Sequence, residues 1–166
     1  MPKLLVTLLV GLALFSSPMM LQAAEIEGAE ILKFGIYKTE ILRKEAASGA
    51  AGGTKGVVKN QKLVEPTTRI PAHKGVEFGF EYDIKGQSAG DAVEVTNKYL
   101  HPPVTNPQTK KSFTSQTTNG KQKIGRTAYI GYEFEHDWEV VSGTWTLQVF
   151  CQGKKIAEKS FQVIKQ

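Results

Sequence analysis

Between Gly75 and Lys85 the chain reads GVEFGFEYDIK, with Val76, Phe78, Phe80, Tyr82 and Ile84 at every second position and Glu77, Glu81 and Asp83 between them. A period of two puts successive side chains on opposite faces of a strand, so this stretch predicts one buried and one wet face. DAVEVTNKYL repeats the pattern through Val93, Val95 and Tyr99, and RTAYIGYEFEHDWEV repeats it through Ala128, Ile130, Tyr132 and Phe134. In GTWTLQVFC, Trp145, Leu147, Val149 and Cys151 share one face while Thr144, Thr146 and Gln148 share the other. Gly153 and Lys154 suit a tight turn into a return strand, because glycine reaches positive φ without strain. On that return strand Ile156 falls out of phase with Phe161 and Val163, and a β-bulge near 157–159 would restore the register.

Two earlier strands are expected, one in ILKFGIYK with Leu32, Phe34 and Ile36 turned inward, the other in QKLVEPTTRI, ended by Pro71. Between them AASGAAGGTKG, near 46–56, has no side chains able to build a core and reads as a flexible loop. No internal repeat is evident. The fold class is therefore all-β, with seven to eight short strands in one domain over residues 24–166. An antiparallel β-sandwich fits better than a barrel. Trp145 on an inward face beside a late hairpin is compatible with an immunoglobulin-like arrangement. The inter-sheet disulfide of antibody domains is impossible, since the sequence holds one cysteine.

The N-terminus has a different pattern: Lys3, an apolar run from Leu4 to Phe15, then SSPMMLQA with small residues at Ala23 and Ala24. This is the arrangement of a signal peptide over residues 1–23, a helix cleaved near Ala23. The apolar run is too short for the roughly 20 residues of a membrane-spanning helix, and no later stretch supplies them, so the mature chain is expected to carry no transmembrane segment. The expected location is outside the cytoplasm, either periplasmic or secreted. There a lone cysteine leaves packing to stabilise the fold.

Candidate chemistry is sparse. Cys151 sits on the core face with Trp145, Leu147 and Val149, where burial suppresses thiol reactivity. In EFEHDWE, Glu133, Glu135, Asp137 and Glu139 would form one acidic stripe if the strand continues that far, and Glu133, Glu135 and Asp137 are candidates for a Ca²⁺ or glycan site. A straight strand spreads alternate carboxylates about 7 Å apart, so a turn or bulge would have to gather them. Between Val95 and Tyr132 there is no acidic residue, while Lys98, Lys110, Lys111, Lys121, Lys123 and Arg126 all fall there. With LHPPVTNP ahead of them these residues predict a basic, loop-rich face, with His101 and Lys110, Lys111, Lys121, Lys123 and Arg126 as contacts. Such a face would attract a protein or an anionic envelope component at long range. It would equally serve as a lysine-decorated edge that discourages aggregation. Nucleic acid is not expected, with so few aromatics among the lysines. His73, His101 and His136 form no zinc spacing, and neither a nucleophile elbow nor a phosphate loop or dinucleotide fingerprint occurs. The expectation is a non-enzymatic binding domain with no cofactor.

The segments RIPAHKGVEFGFEY, LHPPVTNPQT, IGYEFEHDWEVVSGTW and GKKIAEKSFQV together resemble a bacterial family of exported proteins, the domain of unknown function 3859. The resemblance runs from about Ala29 to Ile164. It implies an immunoglobulin-like sandwich outside the cytoplasm and brings no activity, cofactor or catalytic residue to carry over.

Overall fold

The computed structural model describes residues 25–165, so the expected signal peptide lies outside the described residues. Among the described residues nine strands follow one another: β1 (Ile26–Ala46), β2 (Thr54–Glu65), β3 (Arg69–Pro71), β4 (Glu77–Gly86), β5 (Ala92–Thr105), β6 (Ser112–Lys123), β7 (Thr127–Glu133), β8 (Gly143–Cys151) and β9 (Lys154–Ile164). A single 3-10 turn, Asp137–Glu139, separates β7 from β8. One sheet has the order β2-β1-β4-β7 and the other β3-β9-β8-β5-β6. Among the described residues no helix is long and apolar enough to cross a membrane.

Nine strands replace the expected seven to eight for two reasons. The stretch read as one strand ending at Pro71 is two: Pro66 lies between β2, in the first sheet, and β3, which pairs in parallel with β9 in the second. The acid-free stretch read as loops is mostly the β5–β6 hairpin. His101, Pro102 and Pro103 lie inside β5, where a register shift between Leu100 and Val104 takes up the residues that cannot donate to the ladder. Beyond them, the turn from Asn106 to Lys111 is fixed by the Asn106 side chain, which accepts from the backbone of Gln108 and Thr109.

The alternation of β4 and β8 becomes the core. Phe78, Phe80, Tyr82 and Ile84 from one sheet meet Trp145, Leu147 and Val149 from the other, all fully buried. Trp145 lies at the centre of an aromatic group, with Phe78, Phe134, Tyr132 and His101 at centroid distances of 6.0, 5.3, 4.8 and 4.7 Å. Its indole N–H donates to Val141 O at 2.9 Å, so the large ring is buried with its one polar atom satisfied. Cys151 is buried as expected, and desolvation pushes its thiol pKa up.

Three local readings shift. Leu32 is exposed, because a bulge between Ile31 and Lys33 turns it outward. The β8–β9 turn is Gln152–Gly153, both at positive φ, rather than Gly153–Lys154. The bulge in β9 is at Ile156, between the pairs Val149–Ala157 and Phe150–Lys155.

The largest departure is in β1. It runs for 21 residues, pairing with β4 along Ile26–Tyr37 and with β2 from Ile36 to Ala46. Its second half leaves the sheet with β2 alone, as a two-stranded arm. The Gly/Ala-rich turn at its tip is not loose: it docks on the opposite sheet. Thr117 N–H donates to Gly49 O at 3.0 Å, Ala51 N–H to Gln116 Oε1 at 2.8 Å, and Asn106 Nδ2 to Ala51 O at 3.1 Å. A Cβ on Gly49 would run into the Thr117 backbone. The small residues that suggested flexibility are there because two backbones meet.

Candidate functional site

The arm starts from the first sheet and ends on the edge of the second, so it straps across the open side of the sandwich. Beneath it lies a cleft of about 540 Å³. Its walls are the arm, the edge strand β7 and the edge strand β6.

The β7 wall is built on a row of glycines. Gly35, Gly79 and Gly131 are cross-strand neighbours on β1, β4 and β7. A Cβ on Gly131 would strike the Tyr129 ring and hydroxyl, so the bare position lets Tyr129 lie across the strand. There its ring packs 4.9 Å from that of Tyr37, and its hydroxyl donates to Glu77 Oε1 at 3.0 Å. Thr39 Oγ1 donates to Glu77 Oε2 at 2.8 Å. Glu77 thus belongs to the outer face expected to be wet, yet it is 8% exposed, covered by the base of the arm and the tyrosines.

On the inner side, a hydrogen-bond chain runs from the arm tip into the protein. Gln116 accepts from Ala51 N–H and turns its amide nitrogen to Tyr132 Oη at 3.0 Å and His101 Nε2 at 3.3 Å. Pro102 O, 2.8 Å from His101 Nδ1, can only accept, so Nδ1 carries the hydrogen and Nε2 receives the Gln116 bond. Tyr132 donates onward to Glu139 Oε1 at 3.1 Å, and His136 N–H donates to Glu139 Oε2 at 2.9 Å. Gln116 therefore fastens the arm to the sheet.

Charge in the cleft is unevenly matched. Arg43 and Lys55 are both paired with Glu45, at 2.7 and 3.6 Å, and Lys44 with Glu135 at 2.6 Å. Glu77, Glu133 and Glu139 have no ion pair among the described residues. Each has its pKa raised above the ordinary 4.5, chiefly by burial, with Glu133 adding to the effect at Glu77 and Glu135 adding to it at Glu133. Lys44 eases ionisation at Glu133, and hydrogen bonds ease it at Glu77 and Glu139. Ionising these groups costs free energy that a cation brought into the cleft would offset.

Of the candidate site residues singled out from the sequence, Lys121, Glu133 and Glu135 line the cleft, and the others lie outside it. His101 is 7% exposed and stacked on Trp145, so it cannot serve as a surface contact, and desolvation lowers its pKa. It is held inside because it lies on the core face of a strand rather than in a loop. Lys110 and Lys111 are exposed just before β6, while Lys121 and Lys123 are at its far end and Arg126 is in the turn beyond. At about 3.3 Å per residue, the length of β6 keeps the two groups roughly 30 Å apart. They decorate an edge strand and form no single patch. The acidic stripe is interrupted as well: β7 ends at Glu133, Glu135 turns to Lys44, and Asp137 is exposed at the start of the 3-10 turn. Among the described residues no group of three or more His, Cys, Asp or Glu side chains is placed to hold a metal. The sequence pattern alone does not single out Glu77, Tyr129 or Gln116 as site residues. The only local signal was the pair of bare outward positions, Gly79 and Gly131, in otherwise alternating strands.

A family model described as a domain of unknown function, DUF3859, matches residues 26–163. The chain belongs to this family. A solved structure similar to this DUF3859 chain is an immunoglobulin-like protein from Pseudomonas aeruginosa, at 28% identity and a TM-score of 0.58, covering 87% of this chain and 99% of that one. The immunoglobulin-like, all-β character of the domain is thereby established. A comparison with curated proteins returned no match.

Proposed function

We propose that this DUF3859 domain is an exported, non-enzymatic binding module whose site is the cleft beneath the β1–β2 arm. The observation that carries the reading is the arm itself. A hairpin that leaves its own sheet exposes backbone and apolar side chains, including Ile41 and Leu42 at 45% and 53% exposure. Here it encloses a cleft lined by tyrosines, amides and three carboxyls without ion pairs among the described residues, where a partner's polar groups would meet fixed donors and acceptors. The dispersed lysines of β6 favour a role in keeping an edge strand from pairing with other molecules.

Gly120, on β6, lines the cleft, and a Cβ there would meet only Val95, at 4.0 Å. Gly120→Phe should therefore fill the cleft without disturbing the fold. Capture of envelope components by the tagged protein, measured by mass spectrometry, is expected to be lost in Gly120→Phe and kept in Lys110→Glu with Lys111→Glu. Loss in the lysine variant with retention in Gly120→Phe would return the function to the basic edge.

A further inference from the structure

We infer that the cleft receives an extended peptide carrying a lysine or arginine, which adds as a strand to the free edge of β7. This rests on the cleft being the binding site and goes further, to the class of partner.

Phe134, directly after β7, uses both its main-chain groups towards the β4 side: its N–H donates to Val76 O and its carbonyl accepts from Gly75 N–H. Main-chain groups alternate in direction along a strand, so Tyr132, Ile130 and Ala128 also face β4, and Glu133, Gly131 and Tyr129 face away from it. Among the described residues β7 is the last strand of its sheet, so these three residues meet no further strand there. They line the cleft. The opposite edge is treated differently: the outward N–H of Thr117 on β6 is taken by Gly49, and Asn119 O accepts from Lys55. The arm tip thus closes one edge of the open side and leaves the other bare beneath its roof. A bare edge is a template for main-chain pairing, and the docked arm limits access to something as narrow as a single extended chain.

Side chains then select the occupant. In a strand added beside β7, alternate residues would share the outer face with Tyr129 and Glu133. Glu133 lies in one cross-strand row with Glu77 and Tyr37. Glu133, which has no ion pair among the described residues, matches a lysine or arginine. Ile41 and Val58, on the arm, supply apolar contact for its aliphatic stem. On the inner face Thr118 and the bare Gly120 leave room for a small polar residue.

The test is calorimetric titration of the intact domain with blocked peptides of alternating threonine and valine. One has a central lysine, a second has glutamate in its place, and a third keeps the lysine but is N-methylated at alternate backbone positions. Lysinamide is the fourth probe. The lysine peptide is expected to bind, with the other three at least tenfold weaker. Glu133→Gln is expected to weaken the lysine peptide about tenfold, as loss of one covered charge pair does, and Gly120→Phe to abolish binding. Equal binding of the N-methylated peptide, or of lysinamide, would overturn strand addition, and equal binding of the glutamate peptide would overturn the charge assignment. If no peptide binds while envelope capture still depends on an unfilled cleft, the peptide assignment fails and the cleft reading stands.

Discussion

Trp145→Ala is expected to destabilise the domain by about 3–5 kcal/mol, the range for removing a large buried aromatic. The indole is fully buried, packs against Phe78 and Tyr132 of the facing sheet and Phe134 directly after β7, and satisfies its N–H through Val141. Its removal leaves a cavity bounded by Phe78, Phe134, Tyr132 and His101, which rigid flanking strands cannot collapse to fill. Because His101 stacks on Trp145 and receives the Gln116 bond, the same change loosens the arm's attachment. Urea unfolding at neutral pH measures the loss. A change below about 1 kcal/mol would mean the two sheets meet elsewhere.

The second large effect is expected from a methyl group. Gly79→Ala places a Cβ 2.6 Å from Gly131 Cα and closer still to the Ile130 carbonyl, so β4 and β7 must separate. The cost should reach at least about 2–3 kcal/mol, the upper range for single substitutions, because backbone on both sides has to move. Gly120→Ala is the control, since it enters open space on a strand where glycine has only an entropic cost. It should be neutral or stabilising by about 0.5–1 kcal/mol. Parallel urea melts of the two variants check the contrast.

What the sequence revealed and what it hid have separate physical origins. The core strands were legible because burial on one face imposes a period of two, and β4 and β8 keep that period almost unbroken from Val76 to Ile84 and from Trp145 to Cys151. The family landmarks were legible for the same reason, since aromatic and proline positions shape the core and its strand ends. The arm was not legible. Residues 38–46 and 54–62 pack against no continuous core, so their alternation is weak, and the Gly/Ala-rich tip has the composition of a linker although it is held by hydrogen bonds to Thr117, Gln116 and Asn106. His101 was misplaced because two prolines suggested a loop, whereas a bulge lets β5 carry them. The cleft combines β1, β2, β6 and β7, which meet only through the topology, so no local spacing could announce Glu77 beside Tyr129.

The most direct test of the account is residue-resolved amide hydrogen exchange across β7, in the free domain and with saturating lysine peptide. In the free domain Ala128, Ile130 and Tyr132 should exchange slowly, and Tyr129, Gly131 and Glu133 should exchange fast. With peptide bound, protection should appear at Tyr129, Gly131 and Glu133 and be lost again in Gly120→Phe. Unchanged exchange at those three amides, with the peptide demonstrably bound, would contradict strand addition at the β7 edge.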